Sequence, residues 1–468
     1  MAGILFLAVN FGIFMLVWTS GSNHPLASML MAISYLMSSA LYAAMLHRPE
    51  LRPIQFMALL YWTYSLTLPG LYQLRTNDFF WPSLAISEDL ANVAALITLL
   101  ATIALFAGYA SKQRVIVRGP LGQADAAPVS ISPMQERRDT SVAFMLCLLV
   151  FMYCLLMIAR YGQVAFFAPR DVADIALRSA MGGFNSIEVA LARTFPRALA
   201  ISCLAIALAL VHRRQTTGRF TVLALAFACS MMASFPISAP RYFLIATLYV
   251  ILTFGFPAMF RYFKTWIYIG GPVLMFLVFP ALGSWNRGNN QGWQSINPVE
   301  YLSHGDLDGF QSLMNLVFLL NAEGLAFGGR ILSSVFFFMP RSIWAGKAEA
   351  TGVEAAEAAG YKFTNISMPL PGEFYADFGF LGLILLMFLF GRMIAWLEVS
   401  MRRTGSEIGR RAIIGVVIAG FLPIILRGPL LSTLQASVLA IGLIVAWDVA
   451  RRLRRSGVQP VHVHRRAR

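Results

Sequence analysis

TSVAFMLCLLVFMYCLLMIA, residues 140–159, is a run of twenty residues without a charged side chain. An α-helix needs about 20 apolar residues to cross a bilayer core, so this run predicts a transmembrane helix. The composition extends the prediction to the whole chain: 58% of the 468 residues are hydrophobic, 13% are charged, and the mean hydropathy is +0.67. Soluble domains carry about twice that charged fraction. The sequence therefore predicts an all-α polytopic membrane protein. We expect residues 3–19 to be a retained span, because no small-residue cleavage pattern follows them.

Further apolar runs predict about 12 transmembrane helices with both termini cytoplasmic. In this topology most Lys and Arg residues lie in inner loops, which is the positive-inside distribution. The net charge of +15 is then a signal of topology, with contact to anionic lipid as a consequence, and does not indicate nucleic-acid binding. We expect N-terminal transmembrane helices (1–110), a flexible cytoplasmic linker (111–139), central helices (140–284) with a first outer loop (160–193), a large, partly helical outer loop (285–372), C-terminal helices (373–450) and a basic cytoplasmic tail (451–468).

The large outer loop combines cations, carboxylates and aromatic residues. It contains FFFMPRSIWAGK, residues 336–347, and leads into PGEFYADFG, residues 371–379. We expect three helical pieces in it: one near 298–320, a short apolar one near 328–338 that dips toward the membrane, and a turn near 348–358. These residue types at a membrane surface suit a lipid-borne substrate that carries phosphate.

Arg241 and Arg427 are predicted at the outer ends of two spans. Burying a guanidinium there costs several kcal/mol unless an anion or a water-filled cavity receives it. Together with Arg287 they predict a clamp for a diphosphate, since the planar guanidinium forms paired hydrogen bonds with phosphate oxygens. The alternative is that each arginine snorkels to lipid headgroups. The residues expected to assist or to position a second substrate are Arg341, Lys347 and Trp344.

Three carboxylates could act on a substrate hydroxyl as a general base: Asp306, Asp308 and Glu373. Asp308 and Glu373 are the preferred candidates, while Asp306 and His304 are expected to contact substrate. His304 is also a second candidate for the base. The alternative is that the aspartates cap a helix, that Glu373 complements a helix dipole, and that His304 is merely solvated. The sequence lacks metal-ligand spacing and lacks Walker, GxGxxG and GxSxG motifs. We therefore expect no metal and no cofactor.

The order of these residues resembles the oligosaccharide repeat-unit polymerases, the Wzy-type polymerases of O-antigen and exopolysaccharide. The resemblance runs over about 230–435 and is carried by SAPR (238–241), Arg287, DGF (308–310), FMPRSIWAGK (338–347), the stretch GEFY to Gly379, and RG (427–428). It implies a GT-C-like glycosyltransferase of the bacterial inner membrane that works without metal at the periplasmic face. Its implied partners are donor and acceptor oligosaccharides on undecaprenyl diphosphate, and a chain-length regulator protein.

Two alternatives remain open. An O-antigen ligase would use the same lipid-linked donor and would need a histidine in the large loop, for which His304 is available. A 12-span transporter is the alternative of another class. Against it stand the length of the large outer loop and the lack of charges in the middle of the predicted spans.

Overall fold

The computed structural model describes residues 2–48, 50–82, 86–117, 133–181, 186–211, 218–286, 297–402 and 409–456. Within these ranges every regular element is helical. The α-helices are α1 (Ala2–Trp18), α2 (Pro25–Leu46), α3 (Pro53–Tyr61), α4 (Leu68–Thr76), α5 (Glu88–Val117), α6 (Pro133–Tyr161), α7 (Val164–Phe167), α8 (Arg170–Ala180), α9 (Ser186–Val189), α10 (Phe195–Val211), α11 (Arg219–Ala233), α12 (Arg241–Val250), α13 (Pro257–Tyr262), α14 (Lys264–Asn286), α15 (Gly309–Glu323), α16 (Gly329–Val335), α17 (Thr351–Ala358), α18 (Leu370–Arg402), α19 (Arg410–Arg427) and α20 (Leu430–Ser456). Three π-helical segments (Trp62–Thr67, Ala190–Thr194 and Ile251–Gly255) continue α3, α9 and α12, and Glu300–Ser303 and Gly305–Leu307 are 3₁₀ turns.

The described part of the chain contains 7 helices that are long and apolar enough to cross a membrane. They are Pro25–Leu46, Glu88–Lys112, Glu136–Tyr161, Ala190–Val211, Lys264–Gly283, Leu370–Met401 and Leu430–Leu453. Shorter apolar helices occupy Ala2–Trp18, Arg219–Ala233 and Arg241–Gly255. The protein is thus a helical membrane protein, as its apolar composition predicts.

The predicted linker and tail are more helical at their ends than expected. α5 extends to Val117 and α6 begins at Pro133, so both ends of the 111–139 linker are helical, and residues 118–132 lie outside the described ranges. The reason is local propensity: Glu136, Arg137 and Arg138 are good helix formers and extend α6 beyond its apolar run. α20 likewise covers the first residues of the predicted tail, as far as Ser456.

The large loop contains the predicted helical pieces with shifted boundaries. The helix expected near 298–320 is split into the two 3₁₀ turns and α15, because the backbone breaks at His304 and Asp308. The pieces expected near 328–338 and 348–358 are α16 and α17. α18 begins at Leu370 and bends at Gly379, whose φ of 62° is a left-handed conformation that glycine adopts readily.

α5 and α18 pack with their backbones in direct contact, through one glycine on each helix. A Cβ atom at Gly108 would overlap the carbonyl oxygen of Phe388, and one at Gly391 would overlap that of Leu105. Small residues allow such a close approach between helices in a membrane. This contact aligns α18 with the N-terminal helices.

We expect Gly108→Ala and Gly391→Ala to destabilise the protein. Each added methyl group meets a carbonyl that is fixed by its own helix, and overpacking of this kind costs about 1–3 kcal/mol. The measurement is the apparent melting temperature of the full chain in detergent. Gly442→Ala is the control, because a Cβ at Gly442 in α20 meets nothing within 4 Å; equal melting temperatures for all three variants would contradict the contact.

α12 and α19 pack against each other and run in opposite directions. Arg241, the first residue of α12, and Arg427, the last residue of α19, therefore lie at the same end of the helices. The 3₁₀ turns of residues 300–307 cover this end, since both arginines reach Asp306. We call this the cluster end of the molecule.

Candidate functional site

Arg241 is buried and anchors the loop to the helices. Its Nη2 lies 2.6 Å from Oδ1 of Asp306, and its Nη1 donates to the carbonyl of Phe279 at 3.0 Å. The guanidinium also lies 4.6 Å from the ring centroid of Phe279. Tyr301 donates its hydroxyl to the other oxygen of Asp306 at 2.9 Å. The Arg241 side chain is only 7% exposed, so this pair fixes the turn around Asp306 rather than lying open to a ligand.

Arg427 extends along the same turn and is more accessible. Its Nε donates to the carbonyl of Asp306 at 3.1 Å. Its Nη2 lies 3.2 Å from the carbonyl of Gly305 and 3.1 Å from Oδ1 of Asp308. The guanidinium stacks over Tyr242 at 5.2 Å. The side chain is 22% exposed, which leaves part of Arg427 available to a bound anion.

Asp308 accepts four hydrogen bonds from described residues. Oδ1 accepts from Arg427 and, in a very short contact, from the Ser367 hydroxyl; Oδ2 accepts from the Trp81 indole at 2.9 Å and from the Ser367 amide at 3.4 Å. A carboxylate has about four acceptor positions, so those of Asp308 are filled. Asp308 stands at the N-terminus of α15 but makes no side-chain capping bond to it. The capping alternative for Asp308 is therefore wrong, because its carboxylate binds distant residues instead.

We call Arg241, Arg427, Asp306 and Asp308 the Arg–Asp cluster. Its formal charges cancel. Burial alone raises the pKa of Asp306, but the His304 ring 3.2 Å away, together with Arg241 and Arg427, holds that pKa well below its usual range. The Nδ1 of His304 also lies 3.2 Å from the backbone amide nitrogen of Asp306. Asp306 is thus an ionised anchor and a poor proton acceptor.

The lowered pKa of Asp306 predicts where acid weakens the fold. A carboxyl whose folded pKa is depressed contributes stability above its unfolded pKa, about 3.9, and loses it as the pH falls from there toward the folded value. We expect the difference in melting temperature between the wild type and Asp306→Asn to stay constant from pH 8 to 5 and to shrink below pH 4. A difference that already shrinks between pH 7 and 5 would assign the effect to a group other than Asp306.

Glu373 is not part of the Arg–Asp cluster and bonds to Thr351 and Leu430 instead. It is 1% exposed, and its carboxylate accepts from the Thr351 hydroxyl at 2.7 Å and from the Leu430 amide at 2.9 Å. Glu373 stands in the first turn of α18, as the alternative of dipole complementation expects. It also caps a second helix, because it accepts a hydrogen bond from the first amide of α20. Glu373 thereby joins α17, α18 and α20.

Two predicted substrate-binding residues, Arg341 and Lys347, find their partners within their own loop. Arg341 pairs with Glu349 at 3.2 Å, with both side chains 51% exposed. Lys347 donates to the carbonyls of Phe337 and Met339 at 2.7 and 2.9 Å, and Trp344 is half-buried. Their role in binding stays a prediction. Arg287 lies outside the described residues.

Trp81 is the main residue that the sequence reasoning missed. The run Phe79, Phe80, Trp81 predicts interfacial aromatics, and that interpretation gives no hint of the internal contacts that Trp81 makes. Trp81 stacks on Phe363 at 5.3 Å and donates its indole N–H to Asp308. Its backbone N–H donates to Oε1 of Gln311, and its carbonyl accepts from Nε2 of Gln311. The sequence signal for these contacts is that the tryptophan lies in a loop that also contains asparagine and aspartate.

A cavity of about 690 Å³ lies beside the cluster. Two of its lining residues also contact the cluster region: Trp81 through Asp308, and Phe80, whose ring lies 5.2 Å from that of His304. The other lining residues are Asn23, His24, Asn77, Asp78, Phe79, Pro82 and Ile86. Over the described ranges, groups of three or more His, Cys, Asp or Glu side chains suited to a metal ion are not found.

Comparisons of this chain with protein-family models, with curated proteins and with solved structures yield no match.

Proposed function

We propose that this protein is a membrane glycosyltransferase that polymerises oligosaccharide repeat units carried on undecaprenyl diphosphate. The observation that carries the proposal is the meeting of Arg241 and Arg427, from two separate helices, on a buried turn with two carboxylates. Burying charged side chains in a membrane protein costs free energy, so a buried group of them is typical of a functional site. The adjoining cavity supplies space for a substrate.

The proposed topology has 12 spans in a GT-C-like arrangement. To the seven long apolar helices we add α1, the continuous helix from α3 through α4, α11, α12 with its π segment, and α19. With both termini in the cytoplasm of a bacterium, the cluster end faces the periplasm. A lipid-linked diphosphate would then reach Arg427 at the outer surface of the inner membrane.

The proposed chemistry starts with an exchange of partners at Arg427. Because the cluster is neutral, a diphosphate must compete with Asp308 for the guanidinium. Arg427 is the accessible arginine, whereas Arg241 keeps Asp306 and the turn in place. When a phosphate oxygen takes Nη2 of Arg427, Oδ1 of Asp308 loses one of its donors and regains a free lone pair.

Asp308 is then the general base. It takes the proton of an acceptor sugar hydroxyl, whose oxygen forms the new bond to the anomeric carbon of the donor. The bond from that carbon to the diphosphate breaks, and Arg427 stabilises the departing diphosphate charge. Glu373 is the second candidate base, although its two hydrogen bonds tie it to Thr351 and Leu430. Arg287, Arg341, Lys347 and Trp344 would position the acceptor lipid.

The test is synthesis from purified components. The full-length protein in proteoliposomes is supplied with repeat units on undecaprenyl diphosphate, and the products are separated by length. A ladder of lipid-linked chains supports the proposal. Proteoliposome flux without any change in product length would favour the transporter.

An O-antigen ligase is the second candidate, favoured by one observation. His304 of the large loop lies 3.2 Å from Asp306 and packs on Phe80 at the cavity. A ligase would attach the donor chain to a lipid A core acceptor and would form no ladder. Adding that acceptor to the same assay separates the two reactions.

A further inference from the structure

A second group of charged residues lies at the membrane face opposite the cluster end. Arg410 begins α19 and Arg427 ends it. The 18 residues of this helix span about 27 Å, since an α-helix rises about 1.5 Å per residue, and this length is close to the bilayer core of about 30 Å. α20 begins at the cluster end with Leu430, and Asp448 lies a similar distance along it. Arg410 and Asp448 therefore meet near the other face of the membrane.

Asp448 is fully buried and pairs with three arginines. Its Oδ2 lies 3.0 Å from Nη1 of Arg410 and 3.0 Å from Nε of Arg452, and its Oδ1 lies 2.6 Å from Nη2 of Arg451. Arg451 also pairs with Asp139 of α6 at 3.2 Å. We call these five residues the Asp448 group. Three guanidiniums and two carboxylates leave the group with one positive charge in excess.

The accessible members of the Asp448 group are cations. The side chain of Arg410 is 36% exposed and that of Arg452 is 63% exposed, whereas Asp448 is 0% exposed. A guanidinium has five N–H donors, so a contact with one oxygen of Asp448 leaves each arginine able to bind a second acceptor. Both arginines approach the same oxygen, Oδ2, and a single ligand can therefore contact both. The excess charge and the planar donors favour an oxyanion such as a phosphate.

A nonpolar stripe on α20 leads to these arginines. Exposed nonpolar residues recur at intervals of three or four along the helix, at Val438, Gly442, Ala446, Val449 and Leu453. Residues at this spacing lie on one face of an α-helix. Arg452 lies at the edge of that face, three residues after Val449 and next to Leu453. Because α20 is long and apolar enough to span a membrane, the stripe faces the acyl chains of the lipids.

We propose that the Asp448 group binds an anionic phospholipid. The lipid phosphate accepts hydrogen bonds from Arg410 and Arg452, and an acyl chain lies along the stripe of α20. Basic sites between transmembrane helices bind anionic headgroups in this way. A zwitterionic lipid also carries a cation, which the excess positive charge repels. Lipid binding here does not depend on the proposed function; in the proposed topology the site faces the cytoplasmic leaflet.

The test is native mass spectrometry of the full-length protein in detergent, titrated with phosphatidylglycerol as the anionic lipid or with phosphatidylcholine as the zwitterionic one. We expect the wild type to bind phosphatidylglycerol more tightly. Arg410→Gln/Arg452→Gln removes both charges that face the phosphate and should weaken this binding about tenfold. Arg452→Gln alone should weaken it about threefold. Because Arg452 is mostly exposed, the single variant keeps the fold and the test does not depend on the double variant.

Arg48→Gln is the matched control. Arg48 is exposed and follows α2. This helix begins at the cluster end, where His24 lines the cavity, so Arg48 lies at the same membrane face as Arg410. The control should bind phosphatidylglycerol like the wild type. An equal loss in Arg48→Gln would reduce the effect to general surface charge and overturn the site.

Two other results would overturn the proposal. One is equal binding of the two lipids by the wild type, and the other is unchanged binding of phosphatidylglycerol in both arginine variants. Inorganic phosphate in large excess separates a lipid from a soluble anion. It should leave the bound lipid in place; release of the lipid by phosphate would assign the arginines to a soluble anion instead.

Discussion

Replacing Arg427 by alanine is expected to lower the rate of polymerisation by about 10²–10³-fold, the usual loss when a donor to developing charge is removed. Arg427 is the only member of the Arg–Asp cluster, as far as the chain is described, that combines partial exposure with contacts to the Asp306 carbonyl and the Asp308 carboxylate. It can therefore transfer its hydrogen bond with Asp308 to a diphosphate, while Trp81 and Ser367 continue to donate to that carboxylate. The measurement is the initial rate of ladder formation in proteoliposomes.

Two further variants keep this prediction specific. Arg427→Lys retains the charge but loses the paired donors, so it should recover only part of the rate. Arg411→Ala, at the other end of α19 and exposed, removes the same charge and should be close to wild type. A full rate in Arg427→Ala, with normal melting, would end the diphosphate role of this residue.

The mutual proximity of the site residues could be anticipated from the sequence, but their pairing could not. Arg241, Arg427, Asp306 and Asp308 are notable because a charge at the end of an apolar helix needs a reason. The contacts that join them span 65 and 119 residues of sequence. Such separations exceed what helical periodicity can report. The sequence therefore suggests free cations awaiting a phosphate, whereas the structure shows cations already paired with aspartates.

Trp81 and Glu373 show a second limit of sequence reasoning. A loop tryptophan in a membrane protein is ordinarily interfacial, and only the tertiary fold reveals its bond to Asp308. A glutamate at a helix start ordinarily complements its own helix, yet Glu373 also binds the first amide of α20. In both cases the neighbouring sequence supports the common interpretation, whereas the hydrogen-bond partner that the structure reveals lies far away in the sequence.

Asp306→Asn is expected to destabilise the protein by about 3–5 kcal/mol, the typical cost of removing one partner of a buried ion pair. The substitution leaves the Arg241 guanidinium, whose side chain is 7% exposed, without its counter-charge. It also weakens the attachment of the turn that Arg427 and Tyr301 contact. The apparent melting temperature of the full chain in detergent should fall, and the fall should exceed that of the exposed control Glu300→Gln.

Restoring neutrality tests whether charge is the cause. The double variant Arg241→Met/Asp306→Leu removes both charges and keeps apolar bulk beside Phe279, so it should regain most of the lost stability. If the single and the double variants melt alike, the effect of Asp306 does not come from its charge pairing with Arg241. The polymerisation rate of the stable double variant then shows whether Asp308 and Arg427 still act when apolar packing, rather than the Arg241–Asp306 pair, holds the turn. A strong rate there would confine Arg241 to anchoring and leave the diphosphate to Arg427.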